Sequence, residues 1–127
     1  SSAETGNGLC CIECTVPAGS GVPPHTHANE DEAFYVLDGT VTFEGAGQEP
    51  VRLGPGSFFF GPRGHDHSFR NEASQPARML VLIVPGDGVE AMFTDMDATT
   101  RQAGGMPPVE TIVAIAARYG VTIAAPR

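Results

Sequence analysis

At 127 residues, with a net charge of -8 and an isoelectric point near 4.7, the chain has the size of one domain built around one sizeable core. Its seven basic residues are all arginines, scattered along the sequence, which argues against the clustered cations of a nucleic-acid surface, and the absence of lysine excludes Schiff-base chemistry. No apolar run has the length of a membrane span, and the opening "SSAETGNG" lacks the basic and hydrophobic parts of a signal peptide, so a cytoplasmic protein with no membrane and no nucleic-acid partner is expected.

The first predicted element is a strand, "LCCIECTV", from Leu9 to Val16. It carries Cys10, Cys11 and Cys14. An odd number of cysteines argues against a closed disulfide framework. Positions three apart on a strand point to opposite faces, so Cys11 and Cys14 cannot pinch one zinc. They read as small residues in a barrel wall, with redox sensing as the competing role. Gly and Pro then punctuate the chain at short intervals, and the intervening pieces are rich in Val, Phe, Ile and Leu. Strands are predicted near His25 to His27, Ala33 to Leu37, Thr40 to Glu44, Val51 to Leu53, Ser57 to Phe60, His67 to Asn71 and Ala77 to Val84. "LDGTV" reads as a hairpin turn. An all-β antiparallel sandwich or barrel follows, with its core over residues 1–88.

Residues 89–127 form an extension of different character. "GVEAMFTDMDATTRQAGGMPP" is too polar and glycine-rich for a strand and reads as a wrap or link with a short helix near Val89 to Phe93. In "PPVETIVAIAARYGV" the residues Val109, Ile112, Val113, Ala116 and Tyr119 recur at helical spacing, with Pro108 suited to the first turn and Gly120 to the position past the end. This C-terminal helix is expected to lay its apolar stripe on the outside of the barrel or against a second subunit, rather than to form a ligand box.

The chemistry concentrates in two stretches. In "PPHTHANEDE" His25 and His27 share one strand face, with Cα atoms about 6.5 to 7 Å apart, close enough for two imidazoles to tip onto one ion at roughly 2.1 Å. Glu32 faces the same interior only if the chain turns through "ANED" and starts a new strand. Phe34 and Val36 then continue on its side. In "GPGSFFFGPRGHDHSFRN" His67 and Phe69 fall on one face, so a third imidazole can enter the same cavity. Taken alone, a His-x-His near a carboxylate is more often a solvated turn than a metal site.

These residues resemble the cupins, whose small antiparallel barrels carry two signature motifs. The first, glycine, five residues, His-x-His, three or four residues, glutamate, six residues and glycine, is matched by Gly19, His25, His27, Glu32 and Gly39. The second, glycine, five residues, proline-x-glycine, two residues, histidine, three residues and asparagine, is matched by Gly56, Pro62, Gly64, His67 and Asn71. The resemblance is to small single-domain bacterial cupins related to quercetin dioxygenases, and it implies a jelly-roll barrel. It also implies one divalent transition metal (Fe, Mn, Ni, Co, Cu or Zn) held by His25, His27, Glu32 and His67.

Glu32 is then a candidate catalytic base as well as a ligand. His65, two residues before His67, is a candidate acid–base group, with an exposed turn position as the alternative. Glu30 and Asp31 are expected in a solvated turn. The substrate pocket is expected to be lined by Phe34, Val36, Phe58, Phe60 and Phe69 and to take a small organic molecule. Quercetinase-like dioxygenation of an enol or phenol is the leading activity. A non-redox isomerase, cyclase, dehydratase or decarboxylase, or a non-catalytic metal or ligand binder, are the alternatives. Exposed barrel edges and the apolar helix suggest a homodimer.

Overall fold

In the computed structural model, residues 3–6, 8–45, 47–105 and 107–123 are described. After a single 3-10 turn at Ala3–Thr5, eight strands follow: β1 (Cys10–Val16), β2 (Gly21–His27), β3 (Asp31–Asp38), β4 (Val41–Gly45), β5 (Val51–Leu53), β6 (Phe58–Gly61), β7 (Asp66–Arg70) and β8 (Ala77–Val84). Helices α1 (Asp87–Ala103) and α2 (Val109–Arg118) lead to a last strand, β9 (Val121–Ile123). The strands form two antiparallel sheets, one in the order β1-β8-β3-β6 and the other β5-β4-β7-β2-β9.

Period-two alternation sets which side chains enter the space between the sheets. On β3, Glu32, Phe34 and Val36 are buried while Tyr35 is exposed. On β1, Cys10 and Val16 are buried, Cys14 is half-buried and Cys11 faces outward, and all three cysteines are free. One core cluster fills an end of the barrel with Phe34, Val36, Val41, Phe43, Phe69 and Met79. A second lies beneath the helices, where Ile83, Val89, Met92, Ile115, Ala116 and Val121 pack together.

Three features differ from the sequence-based expectation. The "LDGTV" segment is no hairpin: β3 pairs with β6 and β8, whereas β4 pairs with β5 and β7. Asp-Gly chemistry specifies a sharp turn, here with Gly39 at φ 78°, but not whether the strands it joins pair with each other. A Cβ at Gly39 would lie 2.9 Å from Ala77 Cα, so glycine also lets this crossing pass close to β8.

The segment expected as a wrap or link with a short helix near Val89 to Phe93 is a single helix of 17 residues. Its polar positions do not interrupt it, because the hydroxyls of Thr94, Thr99 and Thr100 donate back to the carbonyls of Glu90, Asp95 and Met96 at 2.9–3.0 Å. Val89 and Met92 supply its buried face, and Gly104 caps it at φ 72°. Finally, the chain returns after Gly120 as β9 and pairs with β2, setting Ile123 opposite His25 and Val121 opposite His27.

Candidate metal centre

β2, β3 and β7 bring His25, His27, Glu32 and His67 together, one potential ligand atom from each lying within 4.8 Å of the others. The register explains the convergence. His25 sits opposite His67 across β2 and β7, and Glu32 reaches in from the facing sheet, where it lies opposite Gly61 and Ile83. All four are buried. Glu32 Oε1 is the hub: it contacts His27 Nε2 and lies 4.0 Å from His25 Nε2 and 3.8 Å from His67 Nε2.

The surroundings hold the rings in ligand-ready orientations. His25 Nδ1 meets the Pro23 carbonyl at 2.9 Å and His27 Nδ1 meets Glu30 Oε2 at 3.3 Å. Both partners accept hydrogen bonds, so each Nδ1 carries a ring proton; the Nε2 lone pair of His25 is left to face the cluster, and that of His27 becomes available once the proton it shares with Glu32 gives way to a cation. His67 has both ring nitrogens buried without a hydrogen-bond partner among the described residues. Its ring packs over Gly61, where a Cβ would come within 2.9 Å of Nδ1. Two imidazoles oriented through Nδ1 around one carboxylate, with a buried orphan imidazole, form a donor set that could hold a divalent cation.

The ionisation of the groups agrees with that chemistry. Burial, reinforced by His25, pushes His67 down to about 4, and burial lowers His25 as well. Burial also opposes charge on His27, but the hydrogen bond and charge of Glu32, with Glu30 behind, raise it overall. For Glu32 burial is again the largest influence, yet His27, His67 and His25 together hold it below the usual carboxylate value.

The motif positions that are not ligands shape the frame. Asn71, fully buried, donates to the carbonyls of Val16 and Gln75 at 3.0 and 2.8 Å and accepts from the Ala73 amide at 2.9 Å. Gly19, at φ 77°, donates to the Asn71 carbonyl, and Gly64 donates to that of His27, each at 2.8 Å.

A cavity of about 560 Å³ opens onto His25, His27 and Glu32. Phe34 and Phe69 form part of its wall, together with Val81, Met92, Ile112 and Ala116. The α2 stripe thus faces the barrel interior and helps build a ligand cavity. Sequence reasoning placed only a short helix near Val89 to Phe93 in an otherwise polar wrap or link, and so missed the longer helix that walls the cavity.

Other expected site residues lie elsewhere. Phe58 and Phe60 are 59 % and 51 % exposed: on β6 it is Phe59 that turns inward, stacking on Phe43 at a 4.8 Å centroid distance. Val36 is buried in the first core cluster and is not part of the cavity wall. His65 is exposed and apart from the cluster. It precedes the start of β7 at Asp66, so the alternation that aims His67 inward does not extend to it.

The three consecutive acids also divide differently from expectation. Asp31 faces outward and pairs with Arg63, whose guanidinium hydrogen bonds, with a further bond from the Arg63 amide, hold its carboxyl below the usual range. Glu30 is not in a solvated turn. It is buried behind His27, at an i,i+3 spacing that was the available sequence signal.

The double-sheet barrel with three imidazoles and one carboxylate converging inside it defines a class. Residues 12–83 match the cupin domain, more than half of the chain, and the protein belongs to the cupin family. It is similar to the dimethylsulfoniopropionate lyase DddQ of Ruegeria pomeroyi, 42 % identical over 67 residues, 53 % of this chain and 32 % of that protein. The solved structure of that lyase superposes with a TM-score of 0.57 and 37 % identity, covering 64 % of this chain and 40 % of the other.

Quercetin 2,3-dioxygenase of Bacillus subtilis is 37 % identical over 70 residues, 55 % of this chain and 20 % of that protein. A predicted oxalate decarboxylase from Thermotoga maritima superposes with a TM-score of 0.62 and 28 % identity, over 66 % of this chain and 73 % of that one. The chain therefore spans about a third of the first curated relative and a fifth of the second.

Proposed function

We propose that this cupin is a divalent-metal-dependent enzyme acting on a small, neutral, mainly apolar organic substrate, and that its reaction is dioxygenation of an enol or phenol. The observation that carries the metal dependence is the convergence of His25, His27, Glu32 and His67 on one buried point. A cation bound there would supply Lewis acidity, polarising a substrate oxygen and lowering the pKa of its proton.

Glu32, ionised and buried at the edge of the cavity, accepts that proton. The apolar wall excludes water and stacks the body of the substrate, with the Phe34 ring 5.7 Å from that of His67. The electron-rich carbon left by deprotonation is the centre that reacts with dioxygen. The cavity supports this substrate class because, among the described residues lining it, only His25, His27 and Glu32 are ionisable apart from the thiol of Cys14.

The second reading, proton abstraction followed by elimination or isomerisation without oxygen, is favoured by the 42 % identity to a lyase. It uses the same base. Oxygen uptake separates the two: with stoichiometric metal confirmed by elemental analysis, turnover of flavonols and related enols should stop under anaerobic conditions. Turnover that persists without oxygen selects the second reading, and protein purified without stoichiometric metal and unable to bind it removes both.

We also propose a homodimer. β6 is an edge strand of its sheet and presents Phe58 and Phe60 outward, a surface that pairing with a second copy would cover. Light scattering should give twice the chain mass, and a Phe58→Ser/Phe60→Ser variant should give the monomer mass.

A further inference from the structure

We infer that Glu30 is the positioning residue for His27, and that the first turn of α1 holds Glu30 in place, so that a helix outside the matched cupin residues tunes the metal centre. The inference rests on the metal reading above and extends it to a residue that neither signature motif contains.

Glu30 is 3 % exposed, and a buried carboxylate needs partners. One oxygen, Oε2, receives His27 Nδ1 at 3.3 Å. A carboxylate oxygen accepts here, so this contact assigns a ring proton to Nδ1 and reserves Nε2 as the atom that a cation in the cluster would take. The other oxygen, Oε1, lies against Gly88, where a Cβ would approach it to 2.8 Å. Gly88 is in the first turn of α1, where backbone N–H groups lack intrahelical partners and the helix dipole favours negative charge.

The contrast with His25 makes the arrangement specific. The Nδ1 of His25 leans on a backbone carbonyl two residues away, which the strand itself keeps in place. His27 leans on a side chain, whose conformation must be maintained by something else, and glycine at position 88 leaves the space for it.

The test measures Co(II) affinity by chelator competition, together with the visible Co(II) spectrum and the melting curve of the metal-free protein. Glu30→Ala should weaken Co(II) binding by about 10- to 100-fold and change the spectrum. Glu30→Gln should restore most of the affinity, because its amide oxygen still accepts from Nδ1. Gly88→Ala should weaken binding with Glu30 still present, since its methyl displaces Oε1, while the metal-free protein retains cooperative melting.

Wild-type affinity in Glu30→Ala, or equal losses in Glu30→Ala and Glu30→Gln, overturns the inference and leaves the metal reading intact. If Glu30→Ala fails to fold, wild-type affinity in Gly88→Ala overturns it instead. A wild-type protein that binds no Co(II) overturns the metal reading and this inference together.

Discussion

Three successive carboxylates, Glu30, Asp31 and Glu32, occupy three environments within one turn of chain. Asp31 sits at the surface with Arg63, Glu32 is the hub of the histidines, and Glu30 braces one of those histidines from behind. Local sequence makes them nearly equivalent. Their separation arises from the start of β3 at Asp31, which sends Glu32 inward, and from α1, which closes over Glu30.

Residue environments also set how the metal-free protein responds to pH. His67 ionises near 6.5 when unfolded and at about 4 when folded, chiefly through burial. Between those values the unfolded chain binds more protons, so stability falls as pH drops from about 6.5 to about 4, by up to about 3 kcal/mol. His25, shifted the same way, adds to the loss. His27 is shifted up, so its contribution is intact below 6.5 and is lost as pH rises through its raised value. Denaturant titrations of chelator-stripped protein at a series of pH values should therefore show a fall on the acid side. A flat profile there would mean that His67 is not held neutral by burial.

At the scale of elements, α1, α2 and β9 complete a barrel end that the eight preceding strands leave open. Asp95 of α1 accepts from Arg118 and Tyr119 at 3.4 and 3.2 Å, and Ile115 and Ala116 of α2 bury themselves against Val89 and Met92 of α1. β9 then adds to the strand carrying His25 and His27. Ile115→Ala, at a 1 % exposed position, should cost about 2–5 kcal/mol. Equilibrium denaturation reads the loss, and hydrogen exchange should show it concentrated in α2 and β9. A loss below about 0.5 kcal/mol would show that the helices are not docked as described.

For the whole molecule, the proposed metal binding would be linked to folding, because the four candidate ligands come from three strands in two sheets and converge only in the folded chain. A free metal concentration about 100 times the dissociation constant stabilises the fold by about 2.7 kcal/mol. In a domain of this length a chelator should therefore lower the melting temperature by roughly 10 °C. Scanning calorimetry with and without chelator checks this, and identical melting curves would count against a bound ion.

Much of the barrel was legible because burial on strands repeats every second residue. That alternation places Phe34 and Val36 beside Glu32, and Phe69 beside His67, from the sequence alone. The inward residue of "FFF" was not legible, since three identical side chains carry no alternation. Nor was the length of α1, of which only Val89 to Phe93 read as helix before its polar residues, or β9, where "VTI" after Gly120 was the only sign. The membership of β3 and β4 in opposite sheets is a long-range fact that no turn residue encodes.

By itself, the sequence determined the two-sheet class through strand parity, and its two motifs carried the resemblance that implied the family and the four residues able to meet at one ion, because motif spacing and strand parity are local properties of the chain. Only the tertiary structure decided that Glu30 is inside, that His65, Phe58 and Phe60 are outside, and that the C-terminal helices form a cavity wall. Those outcomes depend on which elements pack over which faces, and so on contacts between residues far apart in the chain.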